Sequence, residues 1–181
     1  MYFVFHPKYV TERSFNWYMK SGQAKANLPY PQAKTMADPP VPRDMYCAII
    51  CPVLGGVLFK DAEDLTDDRI LLTVLALRAY GYDHHGSCPS ALSELVPRYM
   101  TSVPVDPFSD GSAPLIYRKT TNSYTLYSIG PDRVDNGGKP INHRSIDGKV
   151  SHRYFSSDNK GDVVAWGQLG LIISRRKLCF A

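Results

Sequence analysis

Acidic side chains that could hold a cation lie in two short stretches in the second half of the chain. The first stretch is Tyr124–Gly138, YTLYSIGPDRVDNGG, where a strand-like run enters a turn rich in Gly, Pro and Asn. The second comes directly before another strand-like run, Asp162–Trp166. Loops at neighbouring strand ends can gather hard oxygen ligands around one divalent cation. The predicted metal ligands are Asp132, Asp135, Asp158 and Asp162.

Calcium is the predicted ion, since all the candidate ligands are oxygens: the four carboxylates and backbone carbonyls near Ser128. Carboxylates about 4 Å apart repel by roughly 4 kcal/mol at an effective dielectric constant near 20, so a cluster needs a cation or basic neighbours. Arg133, Lys139, Arg153 and Lys160 are the basic neighbours in sequence. Asp, Asn and Gly are also favoured in turns for backbone reasons, so a purely structural turn is the alternative.

A second cluster of possible ligands is Asp83, His84, His85 and Cys88. Two adjacent histidines at a helix end do not easily face one metal ion, and the spacing to the cysteine is generic. We therefore expect a solvated helix terminus here, with a zinc site as the less favoured reading.

The segment Lys139–Ser157 is basic and contains His143 and His152 together with Asp147. No nucleophile elbow, phosphate-binding glycine loop or paired-carboxylate motif accompanies it. The chain is predicted not to be an enzyme, and a metal-dependent hydrolase that uses this segment stays as the alternative. A weak binder of anionic polymers, using the same segment and Arg175-Arg176-Lys177, is a third reading. The net charge of +4 is scattered, so nucleic acid is not an expected partner.

One helix is expected to support these loops. Thr66 is its predicted N-cap, and Ile70–Tyr80 is apolar on almost every face, so a sheet and a partner would both cover it. A short helix is predicted at Pro89–Val96, stopped by Pro97. Asp106, between two prolines, is expected to cap nearby backbone N–H groups rather than to act as a general acid.

Alternating and β-branched residues predict a small sheet. Leu115–Lys119 and Ser123–Ser128 read as a hairpin, Asp162–Trp166 as a third strand and Leu169–Phe180 as a fourth. The predicted fold class is α+β, with one long apolar helix on a three- to four-stranded antiparallel sheet.

Residues 1–60 are predicted to be a poorly structured extension. Pro29–Pro42 reads as an extended linker, and the apolar segment 45–59 is too short to cross a bilayer. That segment fits an interfacial stretch or the remnant of a longer one in a truncated chain. No signal peptide is visible, and the four cysteines read as buried thiols, with the redox compartment left open. The predicted domain limits are 1–60, 61–168 and 169–181.

The order of several short motifs between residues 65 and 166 resembles one protein family. The motifs are HGxxPxxLxxLVPxYM from His85, VPxDPF from Val103, PLxYR from Pro114, YxLYSxGPDxxDxGG from Tyr124 and GDVVxW from Gly161. In this order they resemble the globular domain of type II secretion major pseudopilins of the G type, and bacterial proteins that carry this domain at their C-terminus.

This resemblance implies a helical spine on an antiparallel sheet, with calcium in the loop before the last strand. Asp132 and Asp162 match the family's acids, whereas Asp135 and Asp158 lie near the pattern. It also implies a structural role in the cell envelope, extracytoplasmic or membrane-associated. The implied partners are protein subunits in a homo-oligomer or pseudopilus-like assembly, with membrane attachment through a segment absent or truncated here.

The chain departs from the family pattern in three places. The prepilin-peptidase signature is missing, because no apolar run of family length follows Gly56. Lys139–Ser157 is inserted where the family has only a few residues, and Cys88 stands where an aromatic residue is common.

Overall fold

The computed structural model has an α+β architecture that divides into two compact units, Met1–Ala62 and Glu63–Ala181. The predicted domain limits at 60/61 and 168/169 stay predictions. The structure describes residues 8–37, 40, 42, 47, 49, 51, 54–121, 123–141, 143–144, 150–151 and 155–165. Within these residues three α-helices are present: α1 (Lys8–Ala26), α2 (Tyr30–Thr35) and α3 (Leu54–Asp83).

The first unit contains α1 and α2, so the prediction of a poorly structured extension is wrong for its described residues. The predicted extended linker is also wrong over α2, which has Pro31 in its first turn. Proline is tolerated there because its missing N–H would have no partner within the helix and its φ is already helical. The Tyr18 side chain is buried with Cys47 and Cys51, and its hydroxyl donates to the Cys51 carbonyl at 2.9 Å.

Helix α3 begins at Leu54, well before the predicted cap, so the predicted N-terminus at Thr66 is wrong. Thr66 is fully buried inside the helix. Phe59 and Ala62 precede Thr66 in the helix, and both are buried. Their burial favours a helix that begins before Thr66.

The prediction of a long apolar helix is also wrong. Helix α3 has 30 residues and carries exposed Asp61, Asp64 and Asp68 in its first half. None of the helices in the described part of the chain is long and apolar enough to cross a membrane.

The main sheet belongs to the second unit and has three antiparallel strands in the order β1-β2-β5. These are β1 (Ile116–Lys119), β2 (Tyr124–Ser128) and β5 (Val163–Val164). Ile116 pairs with Tyr127 in the hairpin, and Ser128 pairs with Val163. The predicted hairpin and third strand are therefore confirmed. The predicted fourth strand, Leu169–Phe180, and Trp166 lie outside the described residues.

Two further elements complete the described part of this unit. Strands β3 (His143–Arg144) and β4 (Val150–Ser151) pair as a small antiparallel hairpin within the predicted insertion. The predicted second helix is a single 3-10 turn, Leu92–Leu95, whose two leucines are buried. The Glu94 carboxylate accepts the backbone N–H groups of Ser90 and Ala91 at 2.8 and 3.3 Å, which fixes the entry to this turn.

Candidate functional site

Asp162 is the centre of the loop region that the sequence singles out. It lies directly before β5, and only 1% of its surface is exposed. Its carboxylate accepts the backbone N–H of Asn136 at 3.1 Å through Oδ1 and that of Gly138 at 2.6 Å through Oδ2. Its own backbone N–H donates to the Lys139 carbonyl at 2.8 Å. One side chain therefore fastens the loop after β2 to the start of β5.

Asp132 makes a second connection between the same two segments. Its Oδ2 accepts the backbone N–H of Gly161 at 3.1 Å and the side-chain amide of Asn136 at 3.2 Å. Its Oδ1 accepts the backbone N–H of Val134 at 3.1 Å, which closes a local turn. The two aspartates that match the family pattern therefore bind backbone groups of each other's segments.

Asp135 fastens the loop to the sheet. Its carboxylate accepts hydrogen bonds from the Arg118 guanidinium at 2.7 Å, the Tyr127 hydroxyl at 2.9 Å and the Gly137 N–H at 2.8 Å. The Gly137 N–H and the Tyr127 hydroxyl lower the pKa of Asp135. Burial, together with this carboxylate, raises the pKa of Tyr127 to about 12. Arg118 was not among the predicted basic neighbours; it lies on β1, which pairs with the strand that leads into this loop.

Two glycines let the loop approach the sheet and the strand entrance. Gly130 has a φ of 68°, and a Cβ atom there would lie 2.3 Å from the Gly161 carbonyl oxygen. Gly138 has a φ of 83°, and a Cβ atom there would lie 3.1 Å from Thr125 Cγ2. Both positions therefore require glycine for backbone conformation and for space.

Asp158 lies apart from this network, in an exposed turn. Its carboxylate accepts a long hydrogen bond of 3.4 Å from the Ser157 hydroxyl, and the turn is closed by the Asn159 N–H bonding to the Ser156 carbonyl at 3.1 Å. The structure thus joins three of the four predicted ligands in one hydrogen-bonded loop and places the fourth in a separate turn.

Negative charge is concentrated at Asp162. Burial raises the pKa of its carboxyl group, and the charges of Asp135 and Asp132 raise the pKa further, while the N–H groups of Asn136 and Gly138 oppose the shift. Arg133, one of the predicted basic neighbours, pairs with Asp110 instead. Arg118 is bonded to Asp135, so the buried carboxylate of Asp162 depends mainly on backbone dipoles.

The carboxylate oxygens that could bind a metal ion in this loop already accept hydrogen bonds. Among the described residues, no group of three or more His, Cys, Asp and Glu side chains is arranged to hold a metal ion. The Asp162 oxygens each accept one backbone N–H, and a carboxylate oxygen has two lone-pair directions. An ion here would therefore share Asp132 and Asp162 with the backbone and would need loop carbonyls as further ligands.

Asp106 performs the capping role predicted for it. It is 1% exposed, and its carboxylate accepts the N–H groups of Phe108 and Ile129, each at 2.9 Å, and the Ser128 hydroxyl at 2.7 Å. Burial raises its pKa, and these hydrogen bonds oppose that rise. The side chain therefore ties the proline-flanked segment to the end of β2.

His84, which follows the last residue of α3, contacts the helix itself. The His84 ring stacks on Tyr80 with 3.8 Å between centroids, and its Nδ1 lies 2.8 Å from the Tyr80 carbonyl oxygen. Asp83 bonds to the Arg98 guanidinium and the Tyr99 hydroxyl, both at 2.8 Å. The alternative hydrolase and anionic-polymer readings use residues that lie outside the described part of the chain, namely Asp147, His152 and Arg175-Arg176-Lys177, and the His143 side chain also lies outside it.

No protein-family model, curated protein or solved structure matches this chain.

Proposed function

We propose that this chain is a non-enzymatic structural module that resembles the globular domain of type II secretion pseudopilins and assembles with protein subunits at the cell envelope. The observation that carries this proposal is the loop clasp, defined as Asp132, Asp135 and Asp162 with the backbone N–H groups that they bind. These carboxylates fasten one segment of backbone to another. Such a use of acidic residues serves the shape of a loop and is typical of a structural surface.

The order of elements also supports this role. A long helix is followed by an antiparallel hairpin, a loop with two family-like acids and a short strand that pairs with the hairpin. This is the order that the resemblance implies. The described side chains of Asp83, His84 and Asp106 have structural hydrogen-bond partners, which favours a structural reading of these residues over a catalytic one.

Calcium is the proposed ligand of the clasp. Asp162 and Asp132 would supply carboxylate oxygens, and loop carbonyls near Ser128 would supply the remainder. The support is the environment of the Asp162 carboxylate, whose pKa is raised by burial and further by the charges of Asp135 and Asp132. A divalent cation would offset that repulsion and order the loop between β2 and β5. Asp135 and Asp158 would contribute only if the loop and the exposed turn move toward the ion.

Thermal unfolding in the presence and absence of calcium tests this proposal. At a calcium concentration ten times Kd, binding stabilises by about 1.4 kcal/mol, which raises Tm by about 3–6 °C in a chain of this size. Asp132→Ala and Asp162→Ala should each abolish the calcium-dependent increase, whereas Asp110→Ala should keep it, because Asp110 is exposed and pairs with Arg133. The absence of any calcium-dependent increase in the intact protein would remove the ion from the proposal.

A further inference from the structure

The outward face of α3 carries a stripe of exposed side chains at alternating spacings of four and three residues. This spacing averages 3.5 residues, which is the repeat of the side chains that form the seam of a two-stranded coiled coil. The opposite face is buried and includes Ile70, Thr73 and Leu77. We name the exposed set the α3 stripe, and its members are Asp64, Asp68, Leu71, Leu75, Arg78 and Tyr82.

The leucines on this face form one exposed apolar patch, whereas surface leucines are usually exposed singly. Leu71 is 56% exposed, Leu75 is 51% exposed, and the neighbouring Leu72 is 60% exposed. Leu75 lies four residues after Leu71 and three after Leu72, so these three side chains are contiguous on the helix surface. A contiguous apolar patch with charged residues at both ends marks a protein–protein contact.

The charges at the two ends of the α3 stripe identify the partner. Both acids precede the leucines, whereas Arg78 and Tyr82 follow them. If a second α3 helix lies antiparallel, with a two-fold axis level with residue 73, Asp68 lies opposite Arg78. In the same register Leu71 lies opposite Leu75, and Asp64 lies opposite the Tyr82 hydroxyl. All three pairs occur twice, because a two-fold axis repeats every contact.

Other occupants fit this stripe less well. A parallel pair of α3 helices would place acid opposite acid and Arg78 opposite Arg78, which is repulsive. An anionic membrane surface would repel Asp64 and Asp68, so a lipid surface is disfavoured. The antiparallel second copy satisfies the apolar patch and both charged ends together.

We propose that two copies of this chain pair in antiparallel fashion through the α3 stripe. This pairing deepens the assembly role proposed above and rests on it, since it names a second copy as the protein partner. The α3 stripe contains none of the aspartates of the loop clasp, so different substitutions test the two proposals. The two proposals can therefore fail separately.

Sedimentation equilibrium of the full chain over a range of concentrations tests the pairing. The apparent mass should rise with concentration from 20.3 kDa toward twice that value. Leu71→Glu with Leu75→Glu should leave a monomer at every concentration, because four buried carboxylates would face one another. These positions are exposed in the monomer, so circular dichroism should show the variant folded.

A charge swap tests the register. Asp68→Arg alone and Arg78→Asp alone should each weaken association by about tenfold or more, since each places two like-charged pairs in the contact. The double variant should restore association to within about threefold of the original, because the pairs are attractive again. Asp158→Arg is the matched control for Asp68→Arg: it makes the same change in net charge at an exposed site outside α3 and should have no effect on association.

The outcomes separate clearly. A monomer at every concentration overturns the pairing, as does a dimer that the two leucine substitutions leave unchanged. Loss of association in both single-charge variants without rescue in the double variant overturns the antiparallel register. Calcium-dependent thermal unfolding of the same samples reports on the loop clasp, so a failed pairing with an intact calcium response leaves the proposed function standing.

Discussion

Removal of the Asp162 carboxylate should destabilise the second unit more than removal of any exposed acid in the same loops. The side chain is buried and accepts two backbone N–H groups, from Asn136 and Gly138. Asp162→Ala leaves both donors without that acceptor. A buried donor that loses its acceptor costs about 1–3 kcal/mol. Both donors are only part-buried, so each should cost about 1–2 kcal/mol, and we expect Asp162→Ala to lower the free energy of unfolding by about 2–4 kcal/mol.

Asp162→Asn is the informative companion to the alanine variant. Its amide oxygen can still accept one N–H, but its NH₂ group cannot accept the other. It also removes the buried negative charge, whose burial and whose repulsion from Asp135 and Asp132 both raise the pKa of Asp162. The loss should therefore be about half of the loss in Asp162→Ala, or roughly 1–2 kcal/mol.

Urea unfolding in calcium-free buffer, followed by far-ultraviolet circular dichroism, measures both values. Asp158→Ala serves as the control, because its exposed carboxylate accepts only a long hydrogen bond in the described network. It should change the free energy of unfolding by less than about 0.5 kcal/mol. Equal effects of Asp162→Ala and Asp158→Ala would refute the structural role given to the buried aspartate.

Two further predictions concern the same loop. Burial raises the pKa of Asp162 above its ordinary 3.8, so the folded state binds the proton more tightly, and the contribution of this carboxyl group to stability falls as pH rises from 3.8 through the raised pKa. The difference in free energy of unfolding between the wild type and Asp162→Asn should change across that interval and be constant above it; a difference that is flat throughout would contradict the shift. Gly130 and Gly137 have similar φ values, 68° and 73°, but only at Gly130 would a Cβ atom meet a carbonyl oxygen, at 2.3 Å. Gly137→Ala should cost about 1 kcal/mol, and Gly130→Ala should cost at least about 2 kcal/mol more, as measured by urea unfolding; equal costs would argue against the close approach to Gly161.

The sheet and its loops could be predicted from sequence because their signals are local. Alternating residues identified β1 and β2, and the valines after Asp162 identified β5. The capping role of Asp106 was predicted from its place between two prolines. In such an extended segment, the short side chain brings the carboxylate close to nearby backbone N–H groups. The strands and the bond from the Phe108 N–H to Asp106 depend on a few neighbouring residues. The bonds from Ser128 and Ile129 to Asp106 depend on contacts distant in sequence, and the local pattern does not predict them.

The helices were harder to predict because their limits depend on tertiary contacts. Thr66 has the chemistry of an N-cap, but it is buried within α3, where neighbouring burial of Phe59 and Ala62 favours the helical conformation. Pro31 resembled a linker residue, although the first turn of a helix accepts it. Pro-rich composition alone does not distinguish these two uses.

The candidate site was predicted in part for the same reason. Asp132 and Asp162 were identified from their place at strand ends, and the structure joins their segments. Arg118 was missed because its contact with Asp135 depends on the hairpin register and the path of the loop over the sheet. Asp158 was included because it is close in sequence to Asp162, yet the turn at Ser156–Asn159 directs it to the surface.

Hydrogen exchange of the backbone amides of Asn136, Gly138 and Gly161 tests the loop clasp most directly. In the intact protein these three amides should be protected, because Asp162 and Asp132 accept their hydrogen bonds. Asp162→Ala should remove protection at Asn136 and Gly138, and calcium should increase protection in the wild type. Exchange of the Asn136 and Gly138 amides at the rate of an unstructured peptide in the wild type would contradict the clasp.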